Sequence, residues 1–294
     1  MADDNDTAGV WRWLGAWALC ICCAACTVQL GPAAPHGFRV VTYNVAMGMG
    51  YRLAMAAAPE AAPDLRWAVR HHRALRQPDI LALQEVCLTA GPQLNWLVRS
   101  MQLAHGTARI WQAHATDGGQ FDATCSNAQV TLSPWPIVAS GRLELPLLSW
   151  RNAVLWTDHD IRGVDAPWNA TGRLRVYNLH LINRVGSSVH VPEARWQQAE
   201  AVWAHHLAFR RVDPQTPVLW LGDFNTLDHW AQPWRRERLW QELDARMLPA
   251  LRGFQPTHVL VQQLDGIYAD RMQAQRAQVV VLPLSDHFPV VADY

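Results

Sequence analysis

The stretch Ser285-Asp286-His287-Phe288-Pro289 stands between two apolar runs, Val279-Val280-Val281-Leu282 and Val290-Val291. Runs rich in β-branched residues read as buried strands, and the turn between these two carries a carboxylate beside an imidazole. A strand that starts or stops this way delivers a metal ligand or base and a proton donor to one point on a rigid frame. The triplet is weak alone, because most Asp-His neighbours are solvated turn residues. It gains weight because Asn44, Glu85, His180, Asp223 with Asn225, and Asp265 also sit on or after apolar, strand-like runs. Strands packed together could bring all these ends to one rim.

The bulk numbers allow such a core. Of 294 residues, 50% are hydrophobic and 17% charged, below the usual quarter for charged residues, which favours a well-buried globule over disorder. All 25 basic residues are Arg. Without Lys the chain cannot build a P-loop phosphate cradle, a Schiff-base site or a kinase-type ATP site. The formal charge is zero, and setting aside residues 1–25, with Asp3, Asp4, Asp6 and Arg12, leaves 24 Arg against 22 acidic residues. That balance gives no strong general pull toward nucleic acid or anionic membranes.

Residues 13–30 are apolar and rich in Ala, Cys and Trp, with Arg12 just before them. Gly31-Pro32 and Pro35 follow too soon for a membrane span, so residues 1–35 read as an export leader. Asp3, Asp4 and Asp6 are wrong for the positive start of such a leader, which suggests a true start nearer Val10. Cys23-Ala24-Ala25-Cys26 loosely resembles a bacterial lipobox in which Cys26 would be acylated and anchor the chain to a membrane; plain cleavage is the equal alternative. Four of the six Cys lie in this leader, leaving Cys87 and Cys125. A disulfide between them would add about 3–4 kcal/mol; two buried thiols that never meet is the other reading.

Residues 36–294 read as one domain. Strands are expected near 38–45, 79–85, 108–113, 128–132, 137–145, 151–160, 174–181, 217–221, 264–269, 277–282 and 288–292. Helices are expected near 64–77, 92–103, 193–210 and 234–247. Asp117-Gly118-Gly119 and Ser133-Pro134-Trp135-Pro136 carry turn chemistry. Trp196, Ala199, Trp203 and Leu207 make a helical stripe read as core packing. Helices and short strands mixed through the chain suit antiparallel or mixed sheets covered by helices.

The polar strand ends are mostly oxygen donors. Asn, Glu and Asp suit a hard divalent ion, Mg²⁺ above all, with Mn²⁺ as the substitute, and no Cys or HExxH-type cluster calls for zinc. Imidazoles beside carboxylates suit proton transfer. Val41-Thr42-Tyr43-Asn44, Leu83-Gln84-Glu85, Asn178-Leu179-His180-Leu181, Gly222-Asp223-Phe224-Asn225, Leu264-Asp265-Gly266-Ile267 and Ser285-Asp286-His287-Phe288-Pro289-Val290 together resemble the ordered motifs of the endonuclease/exonuclease/phosphatase superfamily. The resemblance runs from about residue 38 to 294. Arg195 and Gln198 also fit the helix that precedes the Gly-Asp-Phe-Asn strand in that family.

The resemblance implies a DNase I-like α/β (α+β) fold, a four-layer α/β/β/α sandwich with its site at one rim. By analogy Asn44, Glu85 and Asp286 would hold the metal. Asp223 and Asn225 would orient the attacking water and the phosphate, with Asp223 the base. His180 and His287 would bind the phosphoryl oxygens, and Asp265 would orient His287. The implied reaction is attack of water on a phosphoester, by a monomer. The substrate stays open between a nucleic acid, a sphingomyelinase-like phospholipid and a small phosphorylated molecule. Two readings from other classes compete: a catalytically dead binding module on the same scaffold, which should have lost some of these polar ends, and a metal-independent surface lipoprotein. The remaining histidines, His258 among them, read as surface or packing residues.

Overall fold

Apolar runs that bury both faces belong in sheets covered on both sides, and the structure puts them there. The computed structural model describes residues 37–46, 72, 75, 78–87, 98–99, 102, 112–122, 125–146, 153–183, 191–228, 236–282 and 285–294. In chain order the strands are β1 (Arg39–Asn44), β2 (Ile80–Cys87), β3 (Gln112–Asp122), β4 (Cys125–Ser133), β5 (Ile137–Glu144), β6 (Ala153–Asp160), β7 (Arg173–His180), β8 (Val218–Asp228), β9 (Leu248–Pro249), β10 (Gln263–Asp270), β11 (Arg276–Val279) and β12 (Val290–Asp293). Two helices are described over their length, α1 (Val191–Val212) and α2 (Arg238–Arg246).

The strands form two six-stranded sheets, ordered β11-β12-β1-β2-β4-β3 and β5-β6-β7-β8-β10-β9. Each is mixed: β1 and β2 are parallel, as are β7 and β8, while the other pairings are antiparallel. The period-2 rule then sorts the side chains. In β8, Leu219 and Leu221 face the first sheet and pack with Val40, Ile80, Ala82, Val290 and Ala292. Val218 and Trp220 face the other way and pack under Trp196, Ala199 and Val202 of α1 and Leu239, Trp240 and Leu243 of α2. This is an α/β sandwich with its main core between the sheets. The helices expected at 64–77 and 92–103, which would cover the first sheet, lie largely outside the described residues. Within that region Leu75 is fully buried.

Polar residues also enter the inter-sheet core, as a tie. Gln84 on β2 donates from Nε2 to Asn178 Oδ1 on β7 at 2.8 Å and to Thr42 Oγ1 on β1 at 3.0 Å. Asn178 donates from Nδ2 to the carbonyls of Leu83 (3.2 Å) and Val130 (3.1 Å). A buried amide is stable only when its hydrogen bonds are made inside the protein. This tie therefore fixes how one sheet sits on the other, one residue before Glu85 and two before His180.

Three expectations are corrected. Asp117-Gly118-Gly119 is no turn but part of β3, where the register against β4 slips between Asp117 and Gln120; a glycine pair is accommodated as a strand irregularity. The α1 stripe leaves the core at Leu207, which is exposed, and the buried face carries Arg195, Gln198, Val202 and His206 instead. Helical periodicity alone cannot see that a polar network occupies part of the interface. The last three strands keep their order, but β11 ends at Val279 and leaves Val281 exposed. Cys87 ends β2 opposite Asn127, and Cys125 begins β4; their side chains, and the leader at 1–35, lie outside the described residues.

Candidate active site

The parallel pairs decide where the polar ends meet. In a parallel pair both strands finish at the same edge, so Asn44 pairs with Gln84 and His180 with Asp223. β10 runs antiparallel beside β8 and sets Asp265 opposite Asp223. β12 follows the Ser285-Asp286-His287 turn and runs antiparallel to β1, which returns that turn to the same rim.

Asp223 is the hub. Its Oδ1 accepts the Asn225 backbone N–H at 2.8 Å, and its Oδ2 accepts Asn44 Nδ2 at 2.9 Å from the other sheet. His180 Nε2 lies 3.5 Å from Asp223 Oδ2 and 3.3 Å from Glu85 Oε1. His287 Nε2 lies 3.9 Å from the same Asp223 oxygen. On its other side His287 donates from Nδ1 to Asp265 Oδ2 at 2.8 Å. Asn44 Oδ1 accepts the Ala46 N–H at 2.9 Å, and Asn225 Nδ2 donates to the Leu181 carbonyl at 2.9 Å, so both carboxamides are held in one orientation.

The local backbone is bent to do this. Gln84 and Glu85 are neighbours, yet both reach the second sheet, which strict alternation along a strand forbids. The register of β2 against β4 shifts between Leu83 and Val86, and Glu85 takes a φ of 55°. This irregularity turns the Glu85 carboxylate toward His180. Among the described residues, Ala46, Glu85, Asn225 and Val261 are four of the five non-glycine residues with positive φ. They lie at this rim or on the hairpin beside it, the clustering expected where strain is held for function.

Asp286 stands at the outer side of the rim. Its Oδ1 accepts the Ser285 hydroxyl at 3.2 Å, and His258 Nε2 lies 3.5 Å from its Oδ2. The His258 contact, with His287 and Ser285 adding to it, holds the Asp286 carboxyl down at about 2 against a desolvation that acts the other way. His258, expected from the sequence to be a surface or packing residue, packs edge-on against His287 and faces Asp286. No spacing ties it to the motifs, and its signal is only that it follows Thr257, whose buried Oγ1 accepts the N–H groups of Leu264 and Asp265 at 2.9 and 3.0 Å. Gln84 and Asn178 are letters of the sequence motifs, and only packing shows them to be the tie beneath the site. Arg195 sits behind: burial chiefly lowers its guanidinium, while Glu237, 3.1 Å away, and Asp223 oppose that.

Among the described residues, ligand atoms converge in three overlapping groups, each within 4.8 Å: Glu85, His180 and Asp223; Asp223, Asp265 and His287; His258, Asp286 and His287. Asn44 and Glu85, two of the three expected metal ligands, meet around Asp223 and His180, while Asp286 joins them only through His287. The donor set fits a hard divalent cation, because Glu85 and Asp223 present carboxylate oxygens around one imidazole, with the Asn44 carboxamide beside them. Like charges this close are stable together only with a cation or proton between them.

The Asp265–His287 pair carries a pH signature. Burial pushes the Asp265 carboxyl up to about 6, opposed by the charge on His287. Burial would lower His287, but Asp265, Asp223 and Asp286 outweigh it and hold the imidazolium up to about 10. The pair is therefore ionised between those values. Both groups bind protons more tightly folded than unfolded, so their contribution falls as pH rises, and that of His287 is gone above about pH 10. In EDTA the melting temperature is expected to drop between pH 7 and 10, and His287→Asn should flatten the drop. Equal slopes for the two proteins would contradict this electrostatic account.

These elements make up a described family. The model of the Endonuclease/Exonuclease/phosphatase family matches residues 41–287. The chain belongs to that family. Three solved structures share the fold with it at low identity. The catalytic domain of human Nocturnin with bound sulfate is 17% identical with a TM-score of 0.57, covering 89% of this chain and 95% of that one. A 3'-5' exonuclease from Neisseria meningitidis is 17% identical with a TM-score of 0.54, covering 87% and 99%. The mannosyl-6-phosphatase of Bacteroides thetaiotaomicron VPI-5482 is 17% identical with a TM-score of 0.51, covering 87% and 98%. No curated protein matches the chain. The chain is thus a member of a family of phosphoester hydrolases, with the family's DNase I-like α/β sandwich.

Proposed function

We propose that this chain is a divalent-cation-dependent phosphodiesterase, with a nucleic acid as the first candidate substrate. The observation that carries the reading is the convergence of Glu85, His180, Asp223 and the Asp265–His287 pair at one rim, with Asn44 bonded to Asp223 across the two sheets. Asn44 and Glu85 would hold Mg²⁺ or Mn²⁺, with Asp286 approaching from the outer side. Once bound, the ion would polarise a phosphoryl oxygen and neutralise charge that develops there.

The chain's own groups supply the rest. Asp223, held on both oxygens, takes the proton of the attacking water, and Asn225 fixes the orientation of that carboxylate through its backbone N–H. His287, kept protonated by Asp265, points Nε2–H into the site, where it binds a phosphoryl oxygen or protonates the leaving oxygen. His180 supplies a second imidazole between Glu85 and Asp223. A lipid phosphodiester is the second reading, favoured by one observation: Val259 and Leu260 are 49% and 69% exposed on the hairpin that carries His258, an apolar tip beside the site.

Export through residues 1–35, either with acylation at Cys26 or with plain cleavage of the leader, completes the proposal; among the described residues no helix is long and apolar enough to cross a membrane. The test is hydrolysis of bis-p-nitrophenyl phosphate, then of plasmid DNA, RNA, sphingomyelin and phosphomonoesters. Turnover should vanish in EDTA and return with Mg²⁺ or Mn²⁺. Activity indifferent to EDTA would sink the cation-dependent reading, and preference for a monoester would replace diesterase with phosphatase.

A further inference from the structure

The segment before β10 folds back as a tight hairpin, with His258 bridged to Gln262 on one side and to His287 on the other. It is stapled to the turn that carries Asp286 and His287: the Val259 N–H donates to the Asp286 carbonyl at 2.8 Å, and the Phe288 N–H donates to the Thr257 carbonyl at 2.7 Å. The two backbones therefore move as one unit. Side chains follow the same plan. The His258 ring stands edge-on to His287, with centroids 4.8 Å apart at 73°, and its side chain is 11% exposed.

The His258 tautomer follows from its neighbours. Nδ1 accepts the Leu260 N–H at 3.2 Å, so the ring proton of the neutral imidazole is on Nε2. That nitrogen faces Asp286 Oδ2 at 3.5 Å. The Asp286 side chain is 44% exposed, and among the described residues the Ser285 hydroxyl is the other group that hydrogen-bonds it, too little to hold so exposed a carboxylate in one rotamer. Val261, a β-branched residue, is held at a φ of 56° to close the hairpin, a conformation such residues rarely adopt. The strain is offset by what the hairpin holds in place.

We propose that His258 is a positioning residue: it fixes the Asp286 carboxylate in one rotamer at the outer side of the rim, beside His287. The proposal rests on the hydrolase reading for its consequence, though not for its geometry. A ligand carboxylate that is held in place has no rotamer freedom left to lose when a cation arrives, so a partner that orients it raises affinity without touching substrate. The exposed hairpin tip, Val259 and Leu260, starts at the residue after His258, so one short element carries both the apolar tip and the contact to Asp286.

Two measurements separate the proposal from the activity. In EDTA, the Asp286 side-chain couplings read by NMR should show one rotamer in the wild type and averaging in His258→Ala, with His258→Gln, whose amide N–H₂ can still donate, close to wild type. In a Mg²⁺ titration followed by melting temperature, His258→Ala should raise the half-effect concentration about tenfold or more. In an Asp286→Ala background the same substitution should change it little, since coupled residues are non-additive. Unaltered Asp286 couplings in His258→Ala would overturn the proposal. A Mg²⁺ shift as large in the Asp286→Ala background would also overturn it, because His258 would then be acting elsewhere. Loss of hydrolysis by the wild type with the rotamer result intact would instead remove the hydrolase reading alone. A hairpin unravelled by His258→Ala would show as a lower melting temperature in EDTA, and His258→Gln then decides.

Discussion

Replacing Asp223 with Asn is expected to cut diester hydrolysis about 10³-fold, the scale on which a positioned base acts. The substitution keeps size and shape, so the loss comes from charge and from hydrogen-bond direction. Asp223 Oδ2 accepts the Asn44 amide at 2.9 Å while His180 and His287 face the same oxygen at 3.5 and 3.9 Å. An Asn amide nitrogen placed there would set donor against donor. Rotated the other way, it would meet the Asn225 N–H that Oδ1 now accepts at 2.8 Å. Either orientation leaves a buried N–H without its partner, at a cost of about 1–3 kcal/mol. Asp223→Ala should fall at least as far in rate. Circular dichroism should report an intact fold for both variants, because the inter-sheet tie through Gln84 and Asn178 does not involve residue 223. A variant retaining a tenth of wild-type turnover would remove Asp223 as the base.

The second large effect is on stability. Gly222 has a φ of 140°, and a Cβ there would stand 2.0 Å from the Leu179 carbonyl oxygen and 2.9 Å from the Leu179 carbonyl carbon and nitrogen. These are backbone atoms, and Leu179 is the residue registered opposite Gly222 in the parallel β7–β8 pair. No side chain can swing aside to make room. Gly222→Ala must push β7 from β8 and open the gap between His180 and Asp223, so stability and activity fall together. A loss of about 4 kcal/mol or more is expected, which belongs to the rare tail of single substitutions and is a large share of a typical 5–15 kcal/mol total. Urea unfolding measures it. Gly253 is the control, with a φ of 70° and nothing within 4 Å of a built Cβ. Alanine there should cost only the left-handed backbone penalty of about 1–2 kcal/mol. If the two substitutions cost the same, the close approach at Gly222 is not what requires glycine.

Local sequence chemistry carried a large part of this protein. Apolar runs of strand length mark β1, β2, β7, β8 and β10, because a strand buried on both faces tolerates little else. The residues that close those runs, from Asn44 to His287, carry the resemblance to the endonuclease/exonuclease/phosphatase superfamily, and the family model matches over residues 41–287. The spelling could not aim a side chain. Period-2 alternation assigns Gln84 and Glu85 to opposite faces, and only the register shift in β2 turns both toward the second sheet. Nor could it pair His258 with Asp286, since that contact is made by a hairpin folding back over a separate turn. Residue types are set one position at a time and are legible in the chain. Which of them share a point in space depends on bulges, strand direction and sheet-on-sheet packing, which are decided jointly by residues far apart in sequence.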